Sequence, residues 1–284
     1  MTRRKHHTRH SRTKGTLSMR RETTQLYINR ARNFLGRMRR GEAVRGTVPF
    51  SATVLVSDDP IPFARRLDHA PGYREINLGD VWGHEWQSAW FHLTAVVPAE
   101  WSGCHVAAHV NVNGEGLIFG ADGCPLYSLT SQSVFDAHYG KDIYRLFEPC
   151  VGGEPVDIWL EAAANQLFGI DRNGDAERLA PQRHGTYTGQ VKVLELCILD
   201  PDVWGLHLDA EVLFDLFEYL PDNTPRRNII LKTLNKAIDV YADNADNAGA
   251  ARQVLVPLFE VPANPADMAV TAVGHAHIDT GWLW

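Results

Sequence analysis

Between Cys104 and Val112 apolar positions recur at every second residue. Cys104, Val106, Ala108, Val110 and Val112 fall on one face, and His105, Ala107, His109 and Asn111 on the other. Side chains of a strand point to opposite faces in turn, so this run predicts a half-buried antiparallel strand with its histidines on a solvated side. His105 and His109 lie four residues apart in such a strand, too far to chelate one ion easily. Asn113-Gly114 is a turn signal, 116–119 reads as a second short strand, and Ala121-Asp122-Gly123 as another turn. Further strands are predicted at 90–97, 143–147, 156–163 and 189–199. Many short strands with frequent turns, from about Val48 to Leu199, argue for a β-sandwich.

On either side of this region the period changes to that of a helix. Tyr27, Ala31, Phe34, Leu35 and Met38 form a stripe on a predicted helix from Glu22 to Arg40, and Gly41 and Gly46 flank a polar exit. Pro201 and Asp202 close the β region, and a helix over Asp209–Leu220 carries Val212, Leu213, Leu216, Phe217 and Leu220 on one stripe. Thr224-Pro225 is a helix start, with Ile229, Ile230, Leu234, Ala237, Ile238 and Tyr241 as the next stripe. A third helix, 248–255, should end at Pro257. Residues 261–267 read as a proline-containing linker, and Met268–Val273 as a buried strand. The expected organisation is a basic disordered tail (1–21), an N-terminal helix (22–45), a β-sandwich (46–202), a helical connector (203–266) and the start of a further domain (267–284).

The net charge of −6 gives no general pull toward nucleic acid or an anionic membrane. No apolar run approaches the ~20 residues that span a bilayer, and no charged segment leads into an apolar stretch and cleavage site. Cys104, Cys124, Cys150 and Cys197 are scattered, which suits reduced thiols in a cytoplasmic protein better than a zinc site. The first fourteen residues include Arg3, Arg4, Lys5, Arg9, Arg12 and Lys14, and no acidic residue precedes Glu22. A disordered tail, or a true start at Met19, fits that composition better than a nucleic-acid arm or a transit peptide.

Candidate chemistry concentrates in Gly274-His275-Ala276-His277-Ile278-Asp279-Thr280-Gly281-Trp282-Leu283-Trp284. Two histidines and an aspartate alternate just past the predicted strand, so in extended backbone they point the same way. Imidazole and carboxylate suit Zn²⁺ or a similar divalent ion, and Trp282 offers a flat apolar face to a sugar ring. Spacing alone fits ordinary polar residues at a strand end better, since two donors make only half of a zinc site. Trp82, Trp86, Trp90 and Trp159 are read either as a sugar-stacking platform or as core anchors. Glu115 and Glu161 lie among apolar residues, as structural carboxylates or as an acid/base pair.

The run from Gly274 to Trp284 resembles the signature that opens the catalytic domain of the family 38 glycoside hydrolases, the class II α-mannosidases. The likeness is to the branch with cytosolic and vacuolar members. Trp90-Phe91, Gly114–Ile118, Asp122-Gly123 and Trp159–Asn165 resemble the N-terminal domain of that branch, in the same order. The resemblance implies a jelly-roll sandwich of the galactose-binding-like kind, a helical connector, and the first strand of a truncated α/β-barrel catalytic domain. It implies a metal-dependent, retaining hydrolysis of terminal α-mannosides, with cytoplasmic oligosaccharides as substrate and a possible homo-oligomer of the full-length enzyme. His277 and Asp279 match metal ligands for Zn²⁺ or another ion such as Co²⁺. Trp282 matches the aromatic against the bound mannose, and His275 a supporting residue that is not usually a ligand. The family's nucleophilic aspartate and second metal histidine lie further downstream, so the chain reads as an N-terminal fragment, inactive alone. The alternative reading is a stand-alone carbohydrate-binding or assembly module.

Overall fold

A computed structural model describes residues 12–131, 140–165, 187–222, 224–261 and 271–274. The chain separates into two compact units. One joins the described residues up to Ala43 with those from Pro201 to Ala272, and the other runs from Val44 to Asp200.

The β unit is a jelly-roll sandwich of two main sheets. Among the described residues, the smaller sheet orders β1 (Val44–Pro49), β12 (Val193–Leu199), β6 (Val106–Asn111) and β9 (Ile143–Phe147). The larger orders β3 (Arg74–Glu75), β2 (Ser51–Ser57), β5 (Ser88–Val96), β10 (Pro155–Ala163), β7 (Glu115–Phe119) and β8 (Pro125–Thr130). A short pair, β11 (Thr188–Gln190) with β4 (Val81–His84), completes it. The strand pairs are antiparallel. Alternation places Val54, Phe91, Leu93, Ile118, Ile158 and Leu160 on the inner face of the larger sheet. Val106, Ala108, Val110, Leu194 and Leu196 face them from the smaller one, and together they form one buried core.

Several local expectations need revision. The predicted strand 189–199 is two strands, because Val191 and Lys192 turn the chain from the β4 partner to the β6 partner. The polar exit after Gly41 is the edge strand β1, whose register shifts at Gly46 (φ +44°). Nor is the second face of β6 solvated. Ala107 is fully buried and His109 largely so, because polar residues on a strand can meet partners from its neighbours.

Trp82 anchors one end of the core. Its indole N–H donates to the Val112 carbonyl at 2.8 Å, and its ring packs edge-on against Phe91. Gly189 lies so close to this indole that a Cβ there would overlap the ring, which explains a glycine inside β11.

Among the described residues the helical unit gathers four α-helices. The first, α1 (Arg12–Arg37), begins ten residues before the expected Glu22. Arg, Lys, Leu and Met are good helix formers, and no proline interrupts them, so propagation toward the N-terminus is cheap once the packed part has nucleated. Residues 1–11 of the expected tail lie outside the described residues. The stripe Ala31, Phe34, Leu35 and Met38 is buried, with Phe34 edge-on to Tyr241 at 5.6 Å. Tyr27 is instead exposed.

Helix α2 (Pro201–Tyr219) starts eight residues before Asp209. Proline suits the first helical position, where its missing N–H would have no partner anyway. Leu213 and Phe217 are buried as read, but Val212 is exposed. Helix α3 (Pro225–Tyr241) starts where Thr224-Pro225 predicts, although the Thr224 hydroxyl donates back to the Pro221 carbonyl instead of capping. It buries Leu231 rather than Ile229, and turns Asn235 inward to donate to the Leu231 and Tyr27 carbonyls. Helix α4 (Ala248–Phe259) runs past Pro257, where only one hydrogen bond of the last turn is lost. Arg252 of α4 ties to Asp209 of α2 at 2.9 Å. No helix among the described residues is long and apolar enough to cross a membrane.

Candidate functional site

His275, His277, Asp279 and Trp282 lie outside the described residues, as do 262–270. Residues 271–274 form no strand, and Val273 is 78% exposed. The buried strand expected from Met268 to Val273 is therefore not seen in its described part. A single apolar run has no strand of its own without a neighbour to bond.

The sandwich shows where its own candidate residues go. Trp82 and Trp90 are not a platform, for both are buried. Trp90 belongs to the outer face of the larger sheet, but the 58–73 segment covers it, and its N–H donates to the Ile61 carbonyl at 2.7 Å. Phe63 of that segment packs against Trp90 and stacks on Phe119. The Arg66 guanidinium lies between the Phe63 ring at 3.7 Å and Trp159 at 4.4 Å. His92 stacks flat on Trp159 at 4.1 Å, and its Nε2 meets Asp157 at 3.0 Å. Tyr73 closes the stack edge-on and donates its hydroxyl to the Arg66 carbonyl at 3.1 Å. Burial pushes the Tyr73 phenol up to about 12, against the opposing pull of Arg66. These rings clasp a loop to a sheet, and of the four tryptophans Trp82, Trp86, Trp90 and Trp159, Trp86 is the exposed one, at 52%.

Glu115 and Glu161 occupy adjacent rows of the same outer face, where Glu161 pairs across with Leu117 and Trp90, and Glu115 with Ala163. Burial raises both carboxyl pKa values above their ordinary 4.5, and no charge opposes it. Among the described residues neither carboxylate makes the structural hydrogen bond expected of it: Glu161 lies between Leu117 and Trp90, and Glu115 between Ala163 and Thr130. The smaller sheet solves the same problem differently. His109 Nδ1 lies 3.2 Å from Glu195 and Nε2 3.5 Å from Asp142. Burial pulls the imidazolium down, but the bonds and charges of Asp142 and Glu195 outweigh it and hold the pKa above 6.5. The two carboxylates meet opposite ring nitrogens, so they do not converge on one point. Among the described residues no group of three or more His, Cys, Asp and Glu is placed to hold a metal ion.

Sequence reasoning missed Asp142, Glu195, Phe63 and Arg66. Glu195 carries a weak signal, a charge at an alternate position of a predicted strand. Phe63 and Arg66 lie in an aperiodic segment and carry none.

Comparison with known proteins bears on the whole β unit. The family model described as alpha-mannosidase, jelly roll domain, matches residues 48–197, more than half of the chain. Alpha-mannosidase 2C1 of Mus musculus is 24% identical over 247 residues, covering 86% of this chain and 23% of that protein. Alpha-mannosidase G of Dictyostelium discoideum is 25% identical over 214 residues, covering 75% of this chain and 19% of that protein. Alpha-mannosidase of Saccharomyces cerevisiae is 21% identical over 226 residues, covering 75% and 20%. The chain thus spans about a fifth of the length of the curated relatives it matches.

Proposed function

This chain belongs to the alpha-mannosidase jelly-roll domain family, and from that premise we propose that it is the jelly-roll part of a retaining, metal-dependent glycoside hydrolase acting on terminal α-mannosides of oligosaccharides. One observation carries the reading. The likeness to α-mannosidases extends beyond the jelly roll, over 86% of the chain in the mouse relative, against 150 residues for the family model.

Under this reading His277 and Asp279 are ligands for Zn²⁺ or a similar ion such as Co²⁺. Imidazole and carboxylate are the donor types such ions take, and two of them leave room for further ligands. When bound, the ion would act as Lewis acid and template toward sugar hydroxyls. Trp282 would lie against the apolar face of the mannose ring, and His275 would support the ligand segment.

The 284 residues alone are expected to be inactive, since the motif they carry supplies neither the aspartate nucleophile nor the second histidine of the scheme. Assay of the purified chain on an aryl α-mannoside tests this. Activity above background that disappears in His277→Ala would overturn the inactivity. A longer protein that joins this chain to such an aspartate and histidine, yet lacks α-mannosidase activity with Zn²⁺ or Co²⁺, would overturn the functional reading itself.

A further inference from the structure

The turn between β4 and β5 holds a bulky residue in backbone that favours glycine. Trp86 has φ +69°. The left-handed region is open to glycine, and to asparagine and aspartate in part, but strained for a tryptophan. Burial does not compensate for that strain, because the side chain is 52% exposed. Strain that persists without a packing gain points toward use.

Hydrogen bonds hold the turn in place. The Trp86 N–H donates to the Ala164 carbonyl at 2.9 Å, and the Gln87 N–H to the His84 carbonyl at 3.0 Å. The Gln87 side chain accepts from the His84 N–H at 2.9 Å and donates to Asp58 at 2.7 Å. The indole therefore projects from a fixed base, and a ligand that stacks on it orders only two side-chain torsions. Polar side chains share this end of the sandwich. His84, Asp58 and Asp59 are exposed. Register sets Ser57, Ser88, Ala163 and Glu115 in one row across the outer face beside the turn.

A sugar ring asks for such a pairing, an apolar surface under its C–H face and hydrogen-bonding groups at its rim. We infer that Trp86 is a stacking platform for a mannose-containing glycan, with His84 and Asp58 at its rim, at a binding subsite of the jelly roll itself. The choice of mannose rests on the functional reading above. The stacking site does not need catalysis, so the two can fail separately.

Titration of the purified chain with methyl α-mannoside and a linear mannotriose, followed by tryptophan fluorescence and saturation-transfer NMR, tests the site. Wild type should show saturable binding that involves an indole. Trp86→Gly removes the ring and also relieves the positive φ, so it should melt no lower than wild type while binding about tenfold more weakly or not at all. Trp86→Phe should retain part of the affinity. Three results would overturn the inference: no mannoside response in wild type, a Trp86→Gly variant that binds as wild type does, or wild-type self-association that Trp86→Gly abolishes without any sugar response. α-Mannosidase activity of the longer wild-type enzyme tests the functional reading separately, whatever the binding result.

Discussion

The outer faces of the two sheets put ionisable groups in similar half-buried surroundings and treat them in opposite ways. On the smaller sheet His109 bridges Glu195 and Asp142, which shifts its balance toward the charged imidazolium despite burial. On the larger sheet burial acts on Glu115 and Glu161 without an opposing cation, which shifts their balance toward the neutral acid. All three pKa values are raised, yet one shift reflects a charge that gained partners and the others a charge that lost water. A raised pKa therefore does not by itself tell a stabilising group from a destabilising one.

Replacement separates the two cases. His109→Gln should cause the largest change, a loss of about 1.5 kcal/mol in chemical denaturation, the range of hydrogen bonds to charged groups. The folded pKa lies above the ordinary 6.5, so this contribution is fully present below 6.5 and fades as pH rises through the folded value. A loss that is constant from pH 5 to pH 9 would show that shape, not charge, holds the bridge.

Arg66→Ala should come next, costing about 1 kcal/mol through the loss of two cation–ring contacts. It should also admit solvent to Trp90, which lies under the same loop. A red shift in tryptophan emission and faster proteolysis between Pro60 and Tyr73 would report that opening. Unchanged emission and protease resistance would mean that Phe63 and Tyr73 suffice as a clasp.

Smallest, and opposite in sign, are Glu115→Gln and Glu161→Gln. Each should stabilise at neutral pH by about 0.5 kcal/mol, the low end for optimising a charge. These carboxyls favour the folded state when protonated, and that advantage is lost as pH rises through their folded pKa values. The gain from Gln should therefore appear above the ordinary 4.5 and vanish below it. A loss at pH 7 would reveal a partner for the carboxylate and remove the contrast between the two faces.

Much of the sandwich was legible in the chain. Ile143–Phe147 was bounded correctly from its pattern, and the inward set Val106, Ala108, Val110 and Val112 follows from alternation alone. Period two settles which side chains share a face before any neighbour is known. The family was legible too, in the short stretches around Trp90, Gly114 and Trp159, and it is supported independently over 48–197. Of the motif from His275 to Trp282 the structure says nothing, since it lies outside the described residues.

Local pattern thus located β5, β6, β7, β9, β10 and the β11–β12 stretch, the core face of β6, most of each helical stripe and the starting proline of α3, but not β2, β4 or β8. Tertiary structure alone decided that β12 lies between β1 and β6, which brings Glu195 to His109 across 86 positions of sequence. It also decided that a loop covers Trp90, that α1 packs with α3, and that Trp86 adopts a left-handed turn. The reason is the range of the forces. Alternation and helical period come from backbone geometry between near neighbours. The partner of a buried charge, the cover over an aromatic and the strain in a turn depend on groups that only folding brings within a few ångströms.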